Sequence, residues 1–174
     1  MKDNFEEYKE FFEYFGTDEQ CREYLYYLRW PNGYCCPNCG HVEARKQTEI
    51  QYRCRKCRKL TSLYDGTIFE RTHLPLSKWY LAVLYVSKQR NNAKELQMLF
   101  NVGSNRPGSR HTVLRCLNLL EIIMFNSEEY KLNSKITFEE LMQNIVKSNP
   151  NSYDLCDEIT EDDDYEYYKA LYND

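Results

Sequence analysis

Apolar positions recur along most of this chain at helical spacing, and one polar, cysteine-bearing stretch interrupts them. Phe5, Tyr8, Phe11, Phe12 and Phe15 fall at i, i+3, i+4 intervals with Glu6, Glu7, Glu10 and Glu13 between them, which predicts an amphipathic helix. Gly16 ends it. Thr17 and Gln20 then form a capping box for a second helix, because hydroxyl and amide satisfy each other's free N–H groups. Cys21, Leu25 and Leu28 line one face of that helix, and Cys21 reads as a small core residue. It closes at Trp30, since Pro31 disfavours a helical residue before it. Further on, Ser77 can cap a helix over 78–89 that buries Trp79, Ala82, Val83 and Val86, with Leu84 at the margin. A helix over 93–100 turns Leu96, Leu99 and Phe100 inward. Another over 109–125 does so with Val113, Leu114, Leu117, Leu120, Ile123 and Met124. Thr137 caps a short helix carrying Phe138, Leu141 and Ile145 on one side, and Asn149-Pro150-Asn151 stops it.

The interruption has its own logic. Cys36-Pro37-Asn38-Cys39-Gly40 is followed, fourteen residues on, by Cys54-Arg55-Lys56-Cys57. Two CxxC pairs at this separation put four thiolates at the corners of a tetrahedral Zn²⁺ site, each pair from one tight turn. The stretch between is too short and polar to bury a core, so metal has to fold it; binding is worth roughly 10 to 16 kcal/mol in small zinc domains. Gly40 can take the conformation that aims backbone N–H groups at sulfur. Arg58 holds the matching place after the second pair, which makes that turn the less ideal one. Disulfide pairing is the bland alternative, and it suits oxidising compartments, for which the chain carries no secretory signal. Cys35 could replace Cys36, although the x₂ spacing favours Cys36, and His41 reads as solvated because four thiolates complete the set. Residues 42–46 and 49–53 have the length of a hairpin, and 60–64 could add a third strand before Asp65-Gly66.

Charge changes the picture more than composition does. No apolar run reaches the eighteen residues a membrane span needs, so the 174-residue chain reads as soluble and cytoplasmic, or nuclear in a eukaryotic host. Its net charge of −4 hides a segregation. Residues 34–125 hold fifteen Lys/Arg against six Asp/Glu, and residues 126–174 hold four against thirteen. Arg45, Lys46, Arg53, Arg55, Lys56, Arg58 and Lys59 crowd the cysteine segment, with Glu49 the one acidic residue among them. A single-sign patch around a metal ribbon points to phosphate contact, hence DNA. The three helices over 78–125, with a polar turn before the last, resemble a helix-turn-helix, and Arg110, His111, Thr112 and Arg115 would be the exposed residues at the start of its recognition helix. A plain three-helix packing unit fits the same pattern.

The succession Phe15-Gly16-Thr17-Asp18-Glu19-Gln20-Cys21, Leu28-Arg29-Trp30-Pro31-Asn32-Gly33, Cys36-Pro37-Asn38-Cys39-Gly40-His41, Tyr52-Arg53-Cys54-Arg55-Lys56-Cys57, Gly66-Thr67-Ile68-Phe69 and Leu74-Pro75-Leu76-Ser77-Lys78-Trp79 resembles the N-terminal zinc-ribbon region of bacterial insertion-sequence transposases. The resemblance runs from about residue 11 to 79. It implies a ribbon, then a helix-turn-helix, then a DDE nuclease of ribonuclease-H type. The stretch from Asn101 to Gly108 is longer than the family's short Gly-Val-Ser turn, and the family's first catalytic Asp strand is not visible. Two-metal nucleases need carboxylates gathered from distant strands. Asp162, Asp163, Asp164 and Glu166 sit instead in a solvated acidic run.

The expectation is therefore an α+β, mainly helical chain. A Cys₄ zinc ribbon over 32–76 is flanked by a helical segment over 1–31 and a helix-turn-helix-like unit over 77–125, with an acidic tail over 126–174 bearing one short helix. It should hold one structural Zn²⁺ at Cys36, Cys39, Cys54 and Cys57 and bind DNA through its basic residues, with no nuclease of its own. The alternatives are a protein-interaction module, whose acidic tail engages a polymerase or a separately encoded nuclease, and a decayed transposase remnant.

Overall fold

The structure, a computed structural model, describes residues 3–101 and 109–147. The stretch 102–108 before the last of the three central helices, and the acid- and tyrosine-rich stretch 153–174, lie outside the described residues. Elements follow in the order α1 (Asp3–Phe15), α2 (Asp18–Arg29), β1 (Ala44–Lys46), β2 (Gln51–Cys54), β3 (Leu60–Ser62), α3 (Leu76–Ser87), α4 (Ala93–Asn101), α5 (Arg110–Asn126), α6 (Glu128–Asn133) and α7 (Phe138–Lys147). The fold is α+β and mainly helical, with one small antiparallel sheet among the described residues, in the order β1-β2-β3. No helix among the described residues is long and apolar enough to cross a membrane.

Local chemistry sets the helix ends. The Thr17 hydroxyl accepts the Gln20 N–H at 3.3 Å, and the Gln20 side chain accepts the Thr17 N–H at 3.1 Å, so the capping box is complete. Ser109 caps α5 with its hydroxyl, which accepts the Thr112 N–H. At α3 the cap differs from expectation: the helix begins at Leu76 behind Pro75, which supplies no side-chain bond. Ser77 lies inside the first turn, where its N–H and hydroxyl both donate to Asp18 Oδ1 of α2 at 2.9 and 3.0 Å. The segment past residue 126, expected to carry one short helix, carries two among its described residues. The additional one, α6, has no buried residue and hence no apolar stripe to announce it.

Helix α3 is the axis of the body. Leu76, Trp79, Tyr80, Leu81, Ala82, Val83, Tyr85 and Val86 are all buried, and a helix apolar on every side belongs inside. It packs against α2, α4, α5 and α7. The buried Tyr80 hydroxyl donates to the Cys21 carbonyl at 2.9 Å, and Cys21 is wholly buried, as expected of a core residue. Phe138 of α7 enters a ring cluster with Phe11, Phe15, Tyr24 and Tyr80 at centroid distances of 5.9, 5.5, 6.2 and 6.0 Å. One apolar cluster consequently runs from Tyr8 to Ile145.

The ribbon is joined to this body through the end of α2. The Arg29 guanidinium donates to the carbonyls of Leu63, at 3.1 Å, and Asp65. Burial draws its pKa downward, against the pull of Asp65 and Glu70. Trp30 stacks edge-on against Tyr26 and Tyr52 and tilts over Tyr34, at 5.1, 5.2 and 5.0 Å. An aromatic wedge thus fixes where the metal segment sits.

Candidate metal centre

Each CxxC pair closes the same turn. In the first, the Gly40 N–H donates to the Cys36 carbonyl at 2.9 Å and the Cys36 N–H donates to the His41 carbonyl at 3.0 Å. In the second, the Arg58 N–H donates to the Cys54 carbonyl at 3.2 Å and the Cys54 N–H to the Lys59 carbonyl at 2.9 Å. The fourth residue after the leading cysteine must be left-handed in both: φ is +69° at Gly40 and +65° at Arg58. Glycine takes that conformation freely and arginine does not.

The two turns bring four sulfurs together. Sγ atoms of Cys36, Cys39, Cys54 and Cys57 all lie within 4.8 Å of one another. Cys36 and Cys57 are 3.5 Å apart, Cys39 and Cys54 3.6 Å. A tetrahedron with Zn–S bonds of about 2.3 Å has edges of about 3.8 Å, so the set has the dimensions of such a site. Disulfides would bring paired sulfurs to about 2.05 Å, and all four are free thiols. Cys35 is exposed and outside the cluster, its sulfur 3.8 Å from the Gly40 carbonyl. His41 is half-buried and not among the four.

Backbone dipoles prepare the sulfurs for negative charge. Burial raises the Cys36 thiol, but the N–H groups of Asn38 and Cys39, together with the neighbouring thiols, bring it to about 6. The Lys59 N–H lowers Cys57. Cys39 accepts the His41 N–H, which lowers it, yet burial and the three competing thiols carry it to about 12. Four sulfurs this close cannot all ionise beside one another, and a divalent cation removes the competition.

The basic residues occupy two settings. Strand register pairs Arg45 directly with Arg53, and Lys46 with Tyr52. Because side chains alternate, Arg45 and Arg53 share the outer face of the sheet with Leu60, which pairs with Arg53. Arg55, Lys56, Arg58 and Lys59 follow on the second cysteine turn, and all seven predicted basic residues are exposed. Lys46 pairs with Glu49 at 3.0 Å; the other six have no carboxylate partner among the described residues. At the start of α5, Arg110, His111 and Arg115 are exposed. Thr112 is half-buried, and both its N–H and its hydroxyl are bonded to Ser109 Oγ at 3.1 and 2.8 Å. The α5 group and the ribbon group stand on separate elements. Sequence reasoning gave no site role to Tyr26, Tyr34 and Tyr52, and the structure sets them in one groove of about 400 Å³ between α2 and the hairpin. No local pattern signals this, because the three come from α2, a loop and β2.

Residues 16–60 match the family model of the transposase zinc-ribbon domain of IS1595 type. An uncharacterized protein in transposable element ISH50 of Halobacterium salinarum is 26% identical over 92 residues, which make up 51% of this chain and 31% of that protein. The chain therefore spans less than a third of that relative's length. No solved structure matches. The cysteine segment is thus similar to transposase zinc ribbons, and its four clustered sulfurs are a set that could hold a metal ion.

Proposed function

We propose that this chain is a DNA-binding module of transposase type, built around one structural Zn²⁺, and that its own residues hold DNA rather than cut it. A closed set of four thiolates leaves zinc no open position for water, so the ion would supply shape and not hydrolysis. Cys36, Cys39, Cys54 and Cys57 would hold it. The observation that carries the reading is Arg45 lying directly across from Arg53 on an outer sheet face, with Arg55, Lys56, Arg58 and Lys59 close in sequence and no carboxylate paired to any of them among the described residues. Like charges directly opposite in a sheet destabilise it. A polyanion lying on that face would reverse the sign of the interaction.

The helix-turn-helix part of the reading assigns α3, α4 and α5 to the motif. They pack mutually, and the start of α5 would present Arg110, His111 and Arg115 to the major groove. Thr112 would serve chiefly as part of the cap that positions them, since its hydroxyl is already engaged.

Fluorescence anisotropy of duplex DNA against the zinc-loaded full chain, repeated across salt concentrations, tests this. Six phosphate contacts at roughly 0.9 each give a slope of about −5 in log affinity against log salt. Affinity indifferent to salt would overturn phosphate contact. Nicking or end transfer with Mg²⁺ or Mn²⁺, absent from an acidic-residue mutant, would overturn the non-cutting half.

A further inference from the structure

Resting on the DNA reading above, we infer that the groove between α2 and the hairpin takes an unpaired nucleobase, so that the module prefers DNA whose strand is splayed or single-stranded beside the duplex. The groove holds about 400 Å³ and is lined by Tyr26, Tyr34, Val42, Glu43, Ala44, Lys46, Tyr52 and Arg55. Its chemistry is unlike that of the outer sheet face. Strand alternation turns Lys46 and Tyr52, which are paired across β1 and β2, away from Arg45 and Arg53. One side of the hairpin therefore carries Arg45 and Arg53 with no ring among its strand residues, and the other combines cations with aromatic rings.

A duplex lying on a protein presents phosphate and sugar, and the cationic face is sufficient for it. It would leave the tyrosine groove unused. An unpaired base offers a flat apolar face flanked by two phosphates, and the groove offers matching parts. Tyr26 and Tyr52 are half-buried, so they keep ring surface open to it. Lys46 and Arg55 stand at its sides. Tyr34, 5% exposed, backs Tyr52 in a stacked arrangement with centroids 6.0 Å apart and keeps that ring from tilting away. Val42 is 69% exposed, an apolar side chain left in water at the rim, where a base edge would cover it. The Lys46–Glu49 pair is exposed on both sides and yields readily to a phosphate. Glu43 is the one acidic lining residue; it is exposed, and its carbonyl is held by the Arg55 N–H at 3.0 Å.

Base–aromatic stacking on such platforms changes affinity by roughly tenfold or more per base. The zinc-loaded full chain should therefore bind a duplex with a short single-stranded overhang about tenfold more tightly than the blunt duplex. Iodouracil placed in the overhang and irradiated should cross-link to Tyr26 or Tyr52, as read by mass spectrometry of the digest. Val42→Asp, a change at an exposed rim position, should erase the preference while leaving the melting temperature unchanged. Arg45→Glu, on the opposite face, should weaken both DNAs by the same factor and keep their ratio. Equal affinity for blunt and overhanging duplex, with salt-dependent binding intact, would overturn the groove assignment and spare the DNA reading. Cross-links confined to residues outside the groove would do the same, and failure to bind either DNA would overturn both.

Discussion

The ribbon and the helical body are held by different means, and the contrast is visible in which side chains are buried. From Cys36 to Ser62 the fully buried residues are Cys36, Cys54 and Thr61, and two of these belong to the four-sulfur cluster. In α3 alone eight of twelve residues are buried, all of them apolar or aromatic. The body has ample apolar surface to withdraw from water, at about 25 cal/mol per Å². The ribbon does not, and its outer face carries charges that repel one another. Charge density of that kind is affordable only where something other than burial fixes the backbone. On the proposed reading, a metal held by the four sulfurs would fix the backbone that the basic face needs, which would make the two linked causes rather than neighbouring features.

The largest test of this contrast removes the ion that the proposed function assigns to the four sulfurs. Chelation, or Cys54→Ser, should cost the ribbon on the order of 10 kcal/mol of folding free energy. Amide exchange over 44–62 should then rise toward that of a free peptide while α3 and α5 stay protected. Exchange of α3 rising in step with the ribbon would show a single cooperative unit and break the comparison. The converse change is smaller. Leu120→Ala in the dry centre of α5 should cost about 2 to 5 kcal/mol, lower the melting temperature of the helical signal, and leave one metal bound per chain. A loss of metal in that variant, measured by elemental analysis, would mean that the ribbon leans on the core more than its sparse burial suggests.

What the sequence made legible follows the same division. The clustering of Cys36, Cys39, Cys54 and Cys57 with Cys35 left outside, and the capping box at Thr17 and Gln20, follow from local patterns with fixed spacing, and the structure has both arrangements. The α3 cap could not be read locally, because Ser77 is engaged by Asp18, fifty-nine residues away. Tyr80 and Tyr85 gave no sign that they were interior residues, since only the fold supplies partners for their hydroxyls, the Cys21 carbonyl and Glu95. Helix α6 has no apolar period at all. Arg58 is an intermediate case: its place opposite Gly40 in the other turn marked the second turn as the less ideal, and its φ of +65° gives the reason. Arg58→Gly should therefore stabilise the zinc-loaded ribbon by about 1 kcal/mol, less the added freedom glycine brings to the unfolded chain. Chelator competition would measure it, and a weaker grip on the metal would show that the arginine side chain contributes packing its exposure does not reveal.

The smallest expected effect on stability separates a solvated charged face from one shaped by a partner. Arg45→Thr removes half of the Arg45–Arg53 opposition and introduces a β-branched residue suited to a strand, so the ribbon should gain about 0.5 kcal/mol. If the face is merely solvated, nothing else changes. If it carries a phosphate backbone, the same substitution should weaken duplex binding for every sequence and reduce the magnitude of the salt slope by about 1. Stability and affinity then move in opposite directions from a single side chain. A variant that is both more stable and equally avid would leave the like-charged pair without a reason to exist.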